Sequence, residues 1–309
     1  MSETSKGVIA ITGATGFIGG ALLEHLSRSG WNIRALTRSG RIRDNRASEV
    51  VEGSLENFAA LERLLDGVEA VVHCAGAVRG ASFEDFARVN VTGLENLLTA
   101  VRGRSRPPRL IHLSSLAARQ PQLSWYAASK SMGEALLKER FPDVSWTVLR
   151  PPAVYGPGDK EMLPVFRLMA RGFAPVPGSG RSRFSLLHVA DLAAVVELLL
   201  AAAGSGRVFE LHDGKERGYD WFEIIEVVSE LRGKKVRPVK IPWACFYPPA
   251  WLNQLVARVL NVPRPMLTPG KVREIAWPEW VCDNEVLSRE TGWRPQVDLR
   301  RGLADLLVW

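Results

Sequence analysis

Apolar residues along the first half of the chain alternate between two spacings. The runs "GVIAIT", "NIRALT", "EVVEG", "VEAVVHCAG", "RLIHLSS" and "SWTVLR" predict short strands, the fourth nearly all apolar and so covered on both faces. Between them, "GFIGGALLEHLSRSG", "NFAALERLLDG", "FEDFARVNVTGLENLLTAV" and "YAASKSMGEALLKER" space their apolar residues as helices do, and each predicts one helix. Gly30 closes the first of them. This alternation predicts the α/β class, a doubly wound parallel sheet.

The pattern changes at "PPAVYGPGD", where proline and glycine become frequent, and "RGFAPVPGSGRSR" predicts a long loop. "RFSLLHVADLAAVVELLL" returns to strand or loop plus helix, and "RVFELHDG" predicts another strand. Residues 241–280 are rich in tryptophan and proline, and their apolar stretch "IPWACFYPPAWLNQLVARVL" is broken by Pro248 and Pro249. The expected organisation is one domain over residues 1–155, rejoined by the chain around 184–212. A smaller C-terminal lobe, mostly 156–309, is interleaved with it.

Length and composition then bound the class. The 309 residues can bury a sizeable core, and 46% hydrophobic with 24% charged residues is the profile of an ordinary globular protein. A formal charge of +7 invites an anionic partner. The cations are scattered, however, and no basic run is interleaved with aromatics, so a nucleic-acid partner is not expected. One cluster stands out: Arg34, Arg38, Arg41, Arg43 and Arg46. Three distant cysteines and five histidines lack metal-ligand spacing, so neither a disulfide framework nor a metal site is expected. The polar "MSETSKG" predicts no signal peptide, and the longest apolar stretch carries His188, Asp191 and Glu197, so no membrane span is expected. Together these point to a reduced, cytoplasmic compartment.

"ITGATGFIGG" sits between a predicted strand and a predicted helix, with glycines at 13, 16 and 19. There, glycines let a pyrophosphate approach without meeting a Cβ, and the helix start offers free N–H groups. A dinucleotide bound through a free ribose 2′-OH usually meets an acid near the end of the second strand. Here Thr37 and Arg38 stand instead, and a guanidinium suits a 2′-phosphate. NADP(H) is therefore expected ahead of NAD(H). Downstream, Tyr126 and Lys130 are spaced i, i+4 on one face of a predicted helix, and an ammonium nearby lowers a phenol's pKa. Ser114 and Ser115 end a strand, where a hydroxyl can hold a substrate oxygen near Tyr126.

These residues resemble the short-chain dehydrogenase/reductases, and nearly the whole chain looks like their extended, epimerase-like branch. The matching motifs are TGATGFIG at 12–19, HCAG at 73–76, NVTG at 90–93, SS at 114–115, YAASK at 126–130, RPPAVYGPG at 150–158 and HVAD at 188–191. The resemblance implies a Rossmann fold. It implies Tyr126 as acid/base, Lys130 lowering its pKa and holding the nicotinamide ribose, and Ser115 rather than Ser114 facing the substrate. Asn90 resembles the asparagine that supports the site and its water, and is equally readable as a structural residue of a helix interior. Cofactor contacts are implied at Gly13, Thr15, Gly16, Phe17, Ile18, Gly19, Thr37, Arg38, Ser54, Leu55, Ala75, Gly76, Tyr126, Lys130, Pro151 and Val154. A homodimer through the helices of Asn90 and Tyr126 is implied in the same way.

The chain departs from the branch at three places. Ser-Leu-Ala at 115–117 replaces the Thr-Asp-Glu of its dehydratases, Ser54 replaces an acid that contacts adenine, and the arginine before HV is displaced, leaving Arg181 and Arg183. Three readings follow: an NADP-dependent oxidoreductase acting on a ketone or secondary alcohol, a nucleotide-sugar epimerase with tightly held NAD, and a non-catalytic dinucleotide-binding scaffold. The intact Ser, Tyr and Lys favour catalysis, and the expected NADP use favours net reduction. The C-terminal part is similar to 3β-hydroxysteroid dehydrogenase-like members. Its apolar lobe is readable as the lining of a pocket for a bulky apolar small-molecule substrate, as a contact with a membrane surface, or equally as ordinary packing.

Overall fold

A computed structural model describes residues 6–40, 42, 46–202, 206–260 and 265–307. Arg41 and Arg43 of the arginine cluster lie outside the described residues. The strands are β1 (Lys6–Thr12), β2 (Trp31–Thr37), β3 (Glu49–Glu52), β4 (Ala70–His73), β5 (Arg109–Leu113), β6 (Trp146–Arg150), β7 (Ala153–Tyr155), β8 (Phe173–Pro177), β9 (Arg183–Phe184), β10 (Leu186–His188), β11 (Arg207–Glu210), β12 (Arg237–Ile241) and β13 (Glu279–Trp280). The helices are α1 (Phe17–Arg28), α2 (Phe58–Leu64), α3 (Phe83–Ala87), α4 (Gly93–Arg102), α5 (Trp125–Arg140), α6 (Leu163–Ala170), α7 (Val189–Ala201), α8 (Trp221–Arg232), α9 (Tyr247–Leu260), α10 (Pro269–Ala276), α11 (Glu285–Thr291) and α12 (Leu299–Leu306).

Among the described residues, seven strands form one parallel sheet in the order β11-β6-β5-β4-β1-β2-β3. The α/β, doubly wound expectation holds. The chain leaves β1 toward β2 and β3, then returns to lay β4 on β1's other side. That reversal opens a crevice at the carboxyl ends of β1 and β4, where parallel sheets bind ligands. One sheet face is covered by Leu22, Leu26, Val195 and Val196 from α1 and α7, the other by Leu61, Leu64, Leu97 and Leu137 from α2, α4 and α5. Fully apolar strands are the consequence of this double cover. No helix among the described residues is long and apolar enough to cross a membrane.

Three expectations are corrected. The stretch 83–101 is not one helix: between α3 and α4, residues Arg88–Thr92 form a π-helical turn. Its wider winding turns buried Asn90 inward, onto Ala77 and Ser129. The predicted loop at 171–183 contains β8, which pairs in parallel with β12. Pro175 and Pro177 are tolerated because β8 has a single neighbour, so one edge needs no ladder donors. Pro248 and Pro249 do not break the apolar stretch; they lie in the first turn of α9, where the missing N–H groups have no partner to lose. A separate apolar cluster, with Phe166, Val176, Ile224 and Leu303, gathers α6, β8, α8 and α12 beside the crevice.

Candidate active site

The glycine loop joins β1 to α1. Gly13 has φ +74°, and a Cβ on it would lie 2.5 Å from the Ala75 N. A Cβ on Gly19 would collide with the carbonyl oxygen of Gly13. Gly16 donates to that same oxygen at 3.0 Å and caps α1 with no side chain, and the first turn of α1 carries no acid. The backbone N–H groups and positive dipole end are thus left bare toward the crevice, a cradle for a pyrophosphate. At the end of β2, Thr37 is buried and its Oγ1 has no partner among the described residues, while Arg38 is exposed. Arg34 instead pairs with Glu49 and with backbone carbonyls around Leu64, and Arg46 pairs with Glu24, so neither is free for a ligand. The residues present fit a dinucleotide.

The expected chemistry gathers at the next strand ends. Ser124 caps α5 by accepting from the Ala127 N at 2.9 Å, which sets Tyr126 in the first turn. The Tyr126 phenol faces the Ser115 hydroxyl and packs edge-on to Phe86. One turn on, buried Lys130 donates to the Leu113 carbonyl at 2.9 Å. Burial pulls its ammonium down to about 8. Ser114 points away, donating at 2.6 Å to buried Glu134, which Arg150 clamps with two hydrogen bonds. The two serines that the sequence left side by side are thereby separated: Ser115 faces Tyr126, and Ser114 belongs to an internal network.

Asn90 is committed on both sides of its amide. Its Oδ1 accepts from the Ala77 N, and its Nδ2 donates to the Ala77 carbonyl and to Ser129. It ties the chain after β4 to α5. A Cβ on Gly76 would lie 3.0 Å from the Lys130 Nζ, so the missing side chain keeps the space over that amine open.

A cleft of about 2250 Å³ runs along these strand ends. It is lined by Gly13, Thr15, Gly16, Phe17, Ile18, Gly19, Gly76, Ser115, Tyr126, Pro151 and Val154 of the expected residues. Ala75 lies behind that wall at Gly13, and Asn90 and Lys130 at Gly76, whereas Thr37 and Arg38, at the end of β2, are not among the residues that line the cleft. Leu55 is turned into the core against Gly93, and the Ser54 hydroxyl accepts from the Glu56 N.

One constellation escaped the sequence reading. Lys271, on α10, pairs with Glu274 at 2.9 Å, and buried Glu274 accepts from the Ser124 hydroxyl. Arg273 donates to the Leu123 carbonyl at 2.8 Å, and Gly270 lies close against Ser124. Helix α10 is thus latched to the cap of the helix that carries Tyr126. The cleft walls desolvate the Tyr126 phenol and hold its pKa above the ordinary value, opposed by Ser115 and by the charge of Lys271. Lys271 of α10 thus sets a second cation beside the phenol, in addition to Lys130 one turn on along α5. No local motif marks Lys271; only the tertiary contact does.

Residues 9–211 match the NAD dependent epimerase/dehydratase family. The chain belongs to that family. This oxidoreductase is 38% identical over 284 residues to the ceramide reductase of Caulobacter vibrioides, an alignment covering 91% of this chain and 87% of that one. It is 27% identical to the 4-hydroxy-2-methyl-3-oxo-4-farnesyl-3,4-dihydroquinoline-1-oxide ketoreductase of Stigmatella aurantiaca, covering 95% and 93%. The fold is shared with the Bacillus cereus UDP-glucuronic acid 4-epimerase in complex with UDP-glucuronic acid and NAD, at TM-score 0.72, 19% identity and 96% coverage of both chains. The chain is an NAD(P)-dependent enzyme of the extended short-chain dehydrogenase/reductase type.

Proposed function

We propose that this enzyme reduces a ketone on a bulky apolar substrate, a lipid ketone of the ceramide class or one of similar bulk, using NADPH. The observation that carries this reading is the substrate end of the cleft. Phe184, Phe246, Trp251, Met266, Trp277 and Trp280 wall it. Both displaced arginines are engaged by the protein itself. Arg183 donates to the Arg217 and Gly218 carbonyls and to Glu223, and Arg181 pairs with Asp220. A sugar-nucleotide diphosphate would have to compete with these carboxylates and carbonyls for both guanidinium groups, whereas an apolar chain gains by leaving water. The relatives named as reductases of ceramide and of a farnesyl-bearing ketone support the same class.

Gly13, Gly16 and Gly19 would hold the pyrophosphate of a nicotinamide dinucleotide, which would supply hydride chemistry to the site. Ser115 holds the carbonyl oxygen, and Tyr126 passes its phenolic proton to that oxygen as the alcohol forms. Lys130 holds the ribose, and Asn90 keeps the floor of the site in place as a positioning residue. Lys271 stabilises the phenolate that Tyr126 becomes.

NADPH is preferred because Arg38 is exposed at the end of β2, next to the Thr37 hydroxyl that has no partner among the described residues, where a free ribose would require an acid. Glu52 on β3 stands in register with Thr37, one strand away. A charge-assisted hydrogen bond is worth about 1.5–3 kcal/mol, so NADPH should bind roughly 10- to 150-fold more tightly than NADH. Arg38→Ala should remove most of that ratio and barely change NADH binding. The test measures both dissociation constants at one ionic strength and follows NADPH oxidation with long-chain ketones. Equal wild-type affinities would end the NADP assignment. Epimerisation of UDP-sugars without added cofactor would replace the reductase reading.

A further inference from the structure

Helix α9 has its polarity reversed. Its inner face is Ala250, Gln254 and Ala257, all buried, and Arg258 reaches inward to stack over Trp125 and donate to the Ala81 carbonyl. Its outer face carries Trp251, Leu252, Leu255, Val259 and Leu260, each between 59% and 70% exposed. Positions 251, 252, 255 and 259 fall on one stripe of a helix. A contiguous apolar patch of this size is unusual on a protein that meets only water.

The stretch of chain that contains this patch is one-sided in charge. Between Glu230 and Glu274 the chain carries nine lysines and arginines and no acidic residue, more than the +7 of the whole molecule. The exposed strand β12, with Arg237, Val239 and Lys240, leads into α9. We propose that the α9 face, with its basic approach, docks on an anionic lipid bilayer surface. Apolar side chains set at the depth of the headgroups and a cationic surround are the two requirements for such docking, and both are present. A second copy of the chain would bring two of these basic, acid-free stretches together, and their repulsion opposes that occupant.

The face also borders the cleft. Trp251 belongs to the exposed stripe and to the cleft wall, and Phe246, Gln254 and Met266 continue that wall inward. A lipid leaving the bilayer along α9 would reach Tyr126 without crossing water. This delivery role rests on the lipid-ketone reading above; the docking itself does not.

The test is sedimentation of the full chain with vesicles of phosphatidylcholine alone and of phosphatidylcholine with phosphatidylglycerol, at low and high salt. Wild type should partition onto the anionic vesicles, less so as salt rises, and poorly onto phosphatidylcholine alone. The variant Leu255→Glu with Val259→Glu, outside the cleft wall, should bind at least about tenfold more weakly, the scale of losing one buried leucine from the contact. Its turnover of a water-soluble ketone should be unchanged. Lys234→Glu with Lys235→Glu should lose the preference for anionic vesicles while keeping the apolar face. Wild type remaining in the supernatant at every composition would overturn the proposal, as would a double glutamate variant that binds like wild type. A wild-type dimer that becomes monomeric in that variant, without vesicle binding, would assign the face to a second copy and overturn it too. Vesicle binding without ketone turnover would sustain the docking and remove the proposed reaction.

Discussion

In the proposed reaction Tyr126 releases a proton from a cleft whose walls disfavour its charged form, and the groups that favour that form are other residues' side chains. In the proposed reduction, Tyr126→Phe should lower turnover by roughly 10²–10⁴-fold while leaving cofactor affinity intact, as read by kinetics and by NADPH titration. The groups facing the phenol are Ser115 from the end of β5, Lys271 and Glu274 from α10, and Phe86 from α3, with Lys130 one turn on along its own helix. A cation favours phenolate, so Lys271→Gln should raise the phenol's pKa. Reduction uses the protonated phenol, so the alkaline limb of the pH–rate profile should move to higher pH while turnover near neutrality falls. Lys271→Arg should restore the limb. An unmoved limb in Lys271→Gln would show that Lys271 serves only to hold α10 in place.

At the scale of the element, the turn from β1 to α1 separates two glycines that look alike in "FIGG". A Cβ at Gly19 meets the Gly13 carbonyl, whereas at Gly20 the nearest atom is 4.0 Å away. Gly19→Ala should therefore distort the cradle and abolish measurable dinucleotide binding. Gly20→Ala should bind normally and gain up to about 1 kcal/mol in thermal or denaturant unfolding, since a helix-interior glycine is the poorer helix former. Similar losses of binding in both variants would refute the assignment of the turn. The π-turn at Arg88–Thr92 is the other element whose irregularity has a purpose, because it aims Asn90 at Ala77 and Ser129.

The whole molecule carries a stability cost at its centre. The pKa of Lys130 falls from 10.5 to about 8 on folding, chiefly through burial. A base with a lowered folded pKa binds protons less readily in the native state, so stability should rise with pH between about 8 and 10.5 and lie lowest below that window. The cost at pH 7 is about 3 kcal/mol from the shift, less about 1 kcal/mol for the hydrogen bond to Leu113. Lys130→Met should thus unfold at higher denaturant than wild type at pH 7, and the difference should shrink toward pH 10.5. A variant no more stable than wild type at pH 7 would contradict this origin of the cost.

Sequence alone determined what depends on spacing. Apolar runs and helical periodicity predicted the parallel sheet, because strands covered on both faces cannot alternate with polar residues. The three glycines of 13–19 and the Tyr126–Lys130 pair were legible because a turn and one helix face are local. What lay beyond local reach was decided by the tertiary structure. Nothing in "RGFAPVPGSGRSR" signals a strand; β8 exists because β12, more than sixty residues later, pairs with it. Spacing alone does not tell Ser114 from Ser115, which the resemblance favoured; Glu134 and Tyr126 draw them apart in the fold, and Lys271 lies on a helix with no motif until α10 locks onto Ser124. The outward face of α9 was apolar on paper like any core helix, and only the packing of Ala250, Gln254 and Ala257 showed which side the protein left uncovered. Spacing reports what neighbours in the chain can share; which distant group meets a side chain is settled by how the layers close.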